Sequence, residues 1–365
     1  MSNIFSPTFG NKPQYLVGRD NEISNVMEGL SGVPGHHKRS TFLIGQRGMG
    51  KTVLMLELAE QAKKMDYITV RVTANEKMLD EIIEGVQSSG ERLIKDKKLP
   101  VKTISAGAFG FSIGLTFTDE IQKHHGFRTK ISLLCEVLTK QNKGVLFLID
   151  EIRASTAEMR QFATTYQHMI GDGMNIAAIM AGLPHAISSV LNDDVLTFLN
   201  RAYKIKLNPL NIADVSACYY KALRSFNIGF DAKLLDKAAE ATDGYPYLLQ
   251  LIGYHIINLL DGETELSKEI VELSIINSKR ALKNDIFLPC LKPLSPEDKR
   301  FLKTMSKDSE ESSLNDIQDR LKANKSHTQT YKRRLIESGL IHTTSRGMVA
   351  FSIPYLGQYL RGEIS

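Results

Sequence analysis

Three cysteines in 365 residues leave no basis for a disulfide scaffold. Cys135, Cys218 and Cys290 stand far apart in apolar surroundings, so they are expected as buried thiols in a reducing compartment, not as bridges or zinc ligands. The pairs His36-His37 and His124-His125 lack Cys or His neighbours at metal-ligand spacing and are expected in solvated loops. No basic region followed by an apolar run opens the chain, so no secretory leader is expected. The most apolar long stretch, YLLQLIGYHIINLL, is too short and too polar to cross a bilayer. Neither sign of charge dominates: 46 Lys and Arg face 41 Asp and Glu, a net charge of +5. That excess is compatible with nucleic acid without arguing for it. With 42% hydrophobic residues, two or three domains with real cores are expected, in a soluble cytoplasmic protein with no membrane partner.

Against these absences stands one stretch, GQRGMGKT, from Gly45 to Thr52. It fits the phosphate-binding loop G-x-x-x-x-G-K-[ST] with Gly45, Gly50, Lys51 and Thr52 at the fixed positions. Glycines allow backbone N–H groups to turn inward around a polyphosphate. Lys51 can then reach the β- and γ-phosphates of ATP, and the Thr52 hydroxyl can ligate Mg²⁺. Gln46, Arg47, Gly48, Met49 and Val53 complete the expected lining. The setting is also the required one. Thr41-Phe42-Leu43-Ile44 reads as a buried strand before the loop, and KTVLMLELAEQAKK as an amphipathic helix after it, whose positive end faces the phosphates.

Downstream, residues 67–72 alternate with β-branched residues as a second strand, and residues 75–97 form a long helical pattern. The glycine-interrupted stretch at about 100–118 suggests a β-hairpin inserted between helices, either decorative or partner-facing. Residues 128–142 are helical. Val145-Leu146-Phe147-Leu148-Ile149 is a continuous apolar strand, as a parallel sheet covered on both faces demands, and it ends in Asp150-Glu151. After a phosphate loop, this is the Walker B pattern. Asp150 is expected on the Mg²⁺ side, and Glu151 as the group that orients the attacking water. Residues 155–171 read as a helix, 175–181 and 203–207 as further strands, and 211–285 as mainly helical. FLPCLKPLSP reads as a linker.

The final segment reads as three helices and a hairpin. Ser295 caps the first helix, with Pro296 at its first position and Asp298 at its third. LNDIQDRLKA makes the second, TQTYKRRLIESGL the third, and two short strands flank Ser345-Arg346-Gly347. That is the pattern of a winged helix-turn-helix. Gln329, Lys332 and Arg333 on the third helix and Arg346 on the wing are the expected DNA contacts. The alternative is a winged helix used for protein contacts alone.

VGRDNEI, GQRGMGKT, LFLIDE, MAGLP, LNDDVLTFLNRA, ATDGYPYLLQLIGYH and RRLIESGLI…GMVAFSIPYL together resemble bacterial AAA+/STAND-like ATPases with a C-terminal winged helix. These are akin to the archaeal ATPase and origin-recognition initiator groups. The resemblance implies an α/β fold: a P-loop core over 1–208, a helical lid over 209–288 and a winged helix over 289–365. It implies that Gly18 and Arg19 of the GR-x-x-E segment lie against adenine and that Pro246 is the lid proline near the nucleotide. Arg201 stands where such proteins carry the finger that reaches a neighbouring subunit's γ-phosphate; a plain surface arginine is the alternative. The MAGLP edge offers no evident sensor-1 residue, and GYPYLLQ lacks the sensor-2 arginine of many AAA+ lids. The expected function is ATP binding and slow hydrolysis in a homo-oligomer on DNA, in replication initiation, helicase loading, transposition or defence. A helicase, transposase or effector is the expected type of partner protein. The alternative is a nucleotide-gated regulatory protein with negligible turnover.

Overall fold

The structure, a computed structural model, describes residues 3–8, 13–96, 111–113, 115–153 and 155–364. It divides into two compact units. One comprises Asp20–Gly45 and Leu54–Lys206; the other comprises Met1–Arg19, Gln46–Val53 and Leu207–Ser365.

The first unit is built on a sheet. In chain order it contains α1 (Asp20–Ser31), β1 (Ser40–Ile44), the body of α2 (Lys51–Lys64), β2 (Tyr67–Thr73), α3 (Met78–Asp96), β3 (Phe111–Ile113) and β4 (Thr116–Phe117). There follow α4 (Asp119–His124), α5 (Phe127–Lys140), β5 (Gly144–Ile152), α6 (Ala157–Gly171), β6 (Ile176–Gly182), α7 (Pro184–Leu191) and β7 (Tyr203–Lys206). Five strands pair in the order β2-β5-β6-β1-β7, every pair parallel. From β1 the chain crosses to the far edge at β2, returns through β5 and β6, and places β7 on the other side of β1. Ligand crevices of open α/β sheets lie at such reversals, outside the C-terminal strand ends.

The apolar runs of β5 and β6 are explained by this placement. Both are interior strands, and Leu146, Phe147, Ile149, Ala177 and Met180 are fully buried. Phe147 packs edge-on to Phe162 and Tyr166 of α6. Each large aliphatic or aromatic side chain so buried contributes roughly 1.5–3 kcal/mol. A buried Arg39 ends α1: its Nε and Nη2 donate to the carbonyls of Gly29 and Leu30 at 3.1 and 3.0 Å, and its Nη1 donates to Asn175 Oδ1. These are the carbonyls a helix end leaves without intrahelical partners, so the cation suits the negative end of the helix. Of the expected 100–118 insertion, residues 100–110 and 114 lie outside the described residues. The described remainder includes the short antiparallel pair β3–β4.

The second unit contains α8 (Ile212–Ser225), α9 (Ala232–Glu240), α10 (Pro246–Leu260), α11 (Lys268–Leu282), α12 (Leu288–Leu291) and α13 (Pro296–Met305). It continues with β8 (Glu311–Ser313), α14 (Leu314–Leu321), α15 (Lys325–Glu337), β9 (Ile341–Thr343), β10 (Met348–Phe351) and α16 (Leu356–Arg361). Side-chain caps from Asn211, Asp231, Ser267, Ser295, Ser313 and Asn324 begin six of these helices. The N-terminal arm is anchored here. Phe5 meets Tyr219 with ring centroids 5.7 Å apart, Asn3 Nδ2 donates to Tyr254 O, and Ser6 N donates to Gln250 Oε1.

Two expectations are corrected in this unit. The stretch read as a linker is helical as far as Leu291: α11 runs through a π-helical turn, Lys283–Phe287, into α12. Pro289 follows directly on that π-helical turn, where the regular i→i−4 ladder is already interrupted. The terminal hairpin gains a third strand, giving an antiparallel sheet in the order β8-β10-β9.

Candidate functional site

In the sheet unit, β1 and β6 end in register, with Ile44 opposite Gly182. Gly45 N donates to Gly182 O at 3.3 Å, carrying the pairing one residue beyond the strand. A Cβ at Gly182 would lie 2.9 Å from Ile152 O, so this strand end has no room for a side chain. That is the packing reason for the missing polar residue at MAGLP. One strand further, β5 carries Asp150-Glu151 just before its last residue, Ile152. The C-terminal ends of β1, β6 and β5 therefore follow one another along one sheet edge.

Asp150 is buried, and its Oδ1 accepts the Glu151 N–H at 2.8 Å. Glu151 has φ +54, a left-handed backbone that L-residues seldom adopt. The pairing of β5 with β6 loses register between Ile149 and Ile152. Such a bulge turns a side chain out of the sheet's alternation, and Glu151 is accordingly exposed, 3.3 Å from Arg153. Strained non-glycine backbone of this kind concentrates at functional positions. Arg201 is exposed at the end of the 3-10 turn Thr197–Arg201 that precedes β7.

The helical unit holds the loop itself. Gly48 and Gly50 have φ +74 and +81. Gly48 is needed twice over: its backbone is left-handed, and any side chain there would overlap the hydroxyl and ring of Tyr245. Lys51 opens α2 and donates from Nζ to Gln46 O at 2.8 Å, so its ammonium turns back over the loop that precedes it. Met49 is buried, while Thr52 and Val53 are half-buried. Arg47 Nε donates to Ser338 O, at the C-cap of α15, at 3.2 Å.

The other expected nucleotide residues lie in this same unit. Pro246, first residue of α10, faces Gly50; a Cβ on that glycine would sit 4.0 Å from it. Leu210 N donates to Gly244 O at 2.7 Å and fastens the turn before Pro246. Asp214 and Leu210 bound the space beside Gly18, and the buried Arg19 donates from Nη2 to Asn208 O at 2.8 Å. Tyr245 is wholly buried, and its Oη has no hydrogen-bond partner among the described residues. Burial pushes its phenol well above the usual range, with Cys290 acting in the same direction and Arg47 opposing. A left-handed glycine cradle, an ammonium turned over it and an orphaned buried hydroxyl beside it together fit a polyphosphate.

On α15, Gln329 and Arg333 are exposed and Lys332 is half-buried; Arg346 is exposed in the turn between β9 and β10. Arg334 differs from its neighbours in the basic run. It pairs at 2.8 Å with Asp298, a buried carboxylate that also closes the capping box of α13. Arg334 is thus a strut between two helices. Sequence reasoning missed Tyr245, which carries no signal beyond standing between Gly244 and Pro246, and it missed the backbone strain at Glu151, which no residue type announces.

Residues 8–108 match the family described as BREX system ATP-binding protein BrxC/D. Residues 284–360 match a domain of unknown function (DUF8462). No curated protein matches the sequence. Among solved structures, a Walker-type ATPase of Pyrococcus abyssi is similar, with TM-score 0.69 at 16% identity over 96% of this chain and 97% of that one. The ORC2 protein of Aeropyrum pernix, solved in ADPNP–ADP complexes, has TM-score 0.65 at 14% identity, covering 98% of this chain and 96% of its own. Cdc6p from Pyrobaculum aerophilum has TM-score 0.52 at 15% identity, covering 98% of each chain. At these identities the likeness is one of fold. The chain has the AAA+ P-loop fold and resembles origin-recognition initiators.

Proposed function

With that fold as the premise, we propose that the chain binds ATP and Mg²⁺, hydrolyses ATP slowly, and uses nucleotide state to control its assembly on DNA. The observation that carries the reading is the loop: Gly48 and Gly50 in left-handed backbone, with Lys51 turned over it. In this reading the chain comprises a core over 1–208, a lid over 209–288 and a winged helix over 289–365. Gly18, Arg19, residues Gly45 to Val53 and Pro246 hold the nucleotide. Lys51 neutralises phosphate charge. Thr52 and Asp150 supply oxygens for Mg²⁺, which when bound offsets the charge developing on the phosphates. Glu151 orients water, and Arg201 acts on a neighbouring subunit's nucleotide. The similarity to a BREX-system family over residues 8–108 favours defence over replication initiation, helicase loading or transposition.

For DNA, the support is three helices with a three-stranded sheet, with Gln329, Arg333 and Arg346 exposed and Lys332 half-buried. Two observations favour the second reading, a nucleotide-gated switch whose winged helix binds protein. The segment Tyr245–Gln250 carries no arginine, and Arg334 is engaged with Asp298 rather than available to phosphate.

One experiment on two variants tests the proposal. Lys51→Ala should weaken ATP binding about a hundredfold or more, since charge-assisted phosphate bonds are lost. The double change Lys332→Glu, Arg333→Glu should abolish binding to duplex DNA and leave ATP affinity as it was. Unchanged ATP affinity in the first variant removes the nucleotide site. Failure of the wild type to bind duplex at low salt with ATP present transfers the conclusion to the second reading.

A further inference from the structure

Tyr245 precedes α10 as its N-cap residue, and its side chain makes no capping bond. Its ring is fully enclosed, and its hydroxyl lies against Gly48 so closely that no side chain could replace that glycine's hydrogen. A buried hydroxyl left unpaired costs about 1–3 kcal/mol. Of the groups that act on it electrostatically, Arg47 can only donate, the Cys290 thiol is a weak acceptor, and the Tyr247 hydroxyl makes no hydrogen bond with it. Because burial raises the phenol, the hydroxyl keeps its proton and is available as a donor. No arginine or lysine occurs from Tyr245 to Gln250, so the start of α10 presents a phenol to the loop and no cation.

We propose that Tyr245 is the lid's phosphate donor: its Oη completes its hydrogen bonding by donating to a phosphate oxygen of a nucleotide held by the Gly45–Thr52 loop. The inference rests on the ATP-binding reading above and extends it. A neutral donor in this place fastens α10 to the loaded loop by one directional bond, without adding charge. It also ties a cost to the nucleotide-free state, since the hydroxyl is then buried without an acceptor.

The two halves of this idea predict opposite signs for one substitution. Full-length wild type and Tyr245→Phe are compared by thermal melting without nucleotide and by titration with ATP and ADP. Phenylalanine keeps the ring beside Gly48 and removes only the hydroxyl. Without nucleotide the variant should melt at or above the wild-type temperature, because the orphaned group is gone. ATP and ADP should each bind about tenfold or more weakly, the loss of one hydrogen bond to a charged acceptor. A lower melting temperature without nucleotide would mean that the hydroxyl already serves the fold, and unchanged nucleotide affinity would mean that it does not read phosphate; either result overturns the proposal. Wild-type protein that fails to bind ATP defeats the nucleotide reading and this inference together. Normal wild-type binding with an indifferent Phe variant defeats only the role of Tyr245.

Discussion

Gly48 and Glu151 adopt the same hand of backbone, φ +74 and +54, by opposite means. At Gly48 the residue type makes the conformation easy, and the missing side chain leaves room for Tyr245. At Glu151 the conformation is costly, about 1–3 kcal/mol for a non-glycine residue, and a carboxylate is kept nonetheless. The contrast separates two kinds of demand. In the proposed reading one position serves shape, because backbone N–H groups would do the binding. The other would serve a functional group, and the fold tolerates the strain. Asp150 helps to hold it, since its carboxylate accepts the Glu151 N–H.

Four substitutions test this contrast, one of them as the background for another. The largest effect is expected from Glu151→Gln, which keeps the size of the side chain and removes its charge. Turnover at saturating ATP, measured by phosphate release, should fall by about 10²–10⁴ with ATP affinity unchanged. Equal turnover would leave the strained backbone without a chemical purpose. Gly48→Ala comes next. It combines left-handed strain with overlap on Tyr245, and urea unfolding should show a loss of about 2–3 kcal/mol. Adding Tyr245→Ala to Gly48→Ala removes the overlap term from the comparison, so the alanine should then cost less than it does beside tyrosine. An unchanged cost would place the whole demand on the backbone. The smallest effect is expected from Glu151→Gly. Relief of strain, partly offset by the greater freedom of glycine in the unfolded chain, should raise stability by about 1 kcal/mol or less while hydrolysis is lost. A destabilised glycine variant would show that the side chain, and not Asp150 and the bulge, holds this turn.

The loop and the strand end were both legible from residue order, because each couples an apolar strand to polar chemistry at fixed spacing. GQRGMGKT needs its glycines in series, and LFLIDE needs two carboxylates after a doubly covered strand. The helices with a clear apolar stripe were legible too, α5 and α6 among them. Short elements were not. β8 is Glu-Ser-Ser, which has no alternation to read, and it exists because β10 offers it a partner. α7 and α16 span eight and six residues, too few turns for a period to stand out. The misread linker shows how proline can mislead: three prolines in ten residues suggested a linker, whereas Pro289 lies within a helical path just after its π-helical turn. The basic run of α15 shows a related limit of sequence pattern. A run of basic residues looks uniform in sequence, but a helix turns each one toward different surroundings, and here Asp298 meets Arg334.

Arg47 gives the loop a reach beyond its own chemistry. The residue stands inside the phosphate-binding motif, yet its Nε donates to Ser338 O, where α15 ends. A guanidinium at that end also favours the helix dipole. This hydrogen bond is a direct physical connection between the loop and α15, through which the two can be coupled. Any factor by which an anion on the loop alters the affinity of a ligand on α15 must equal that by which the ligand alters the anion's affinity, since coupling between two binding events is reciprocal. Titrating either site while reading the other measures the same quantity, and Arg47→Ala, which breaks the bond, should reduce it.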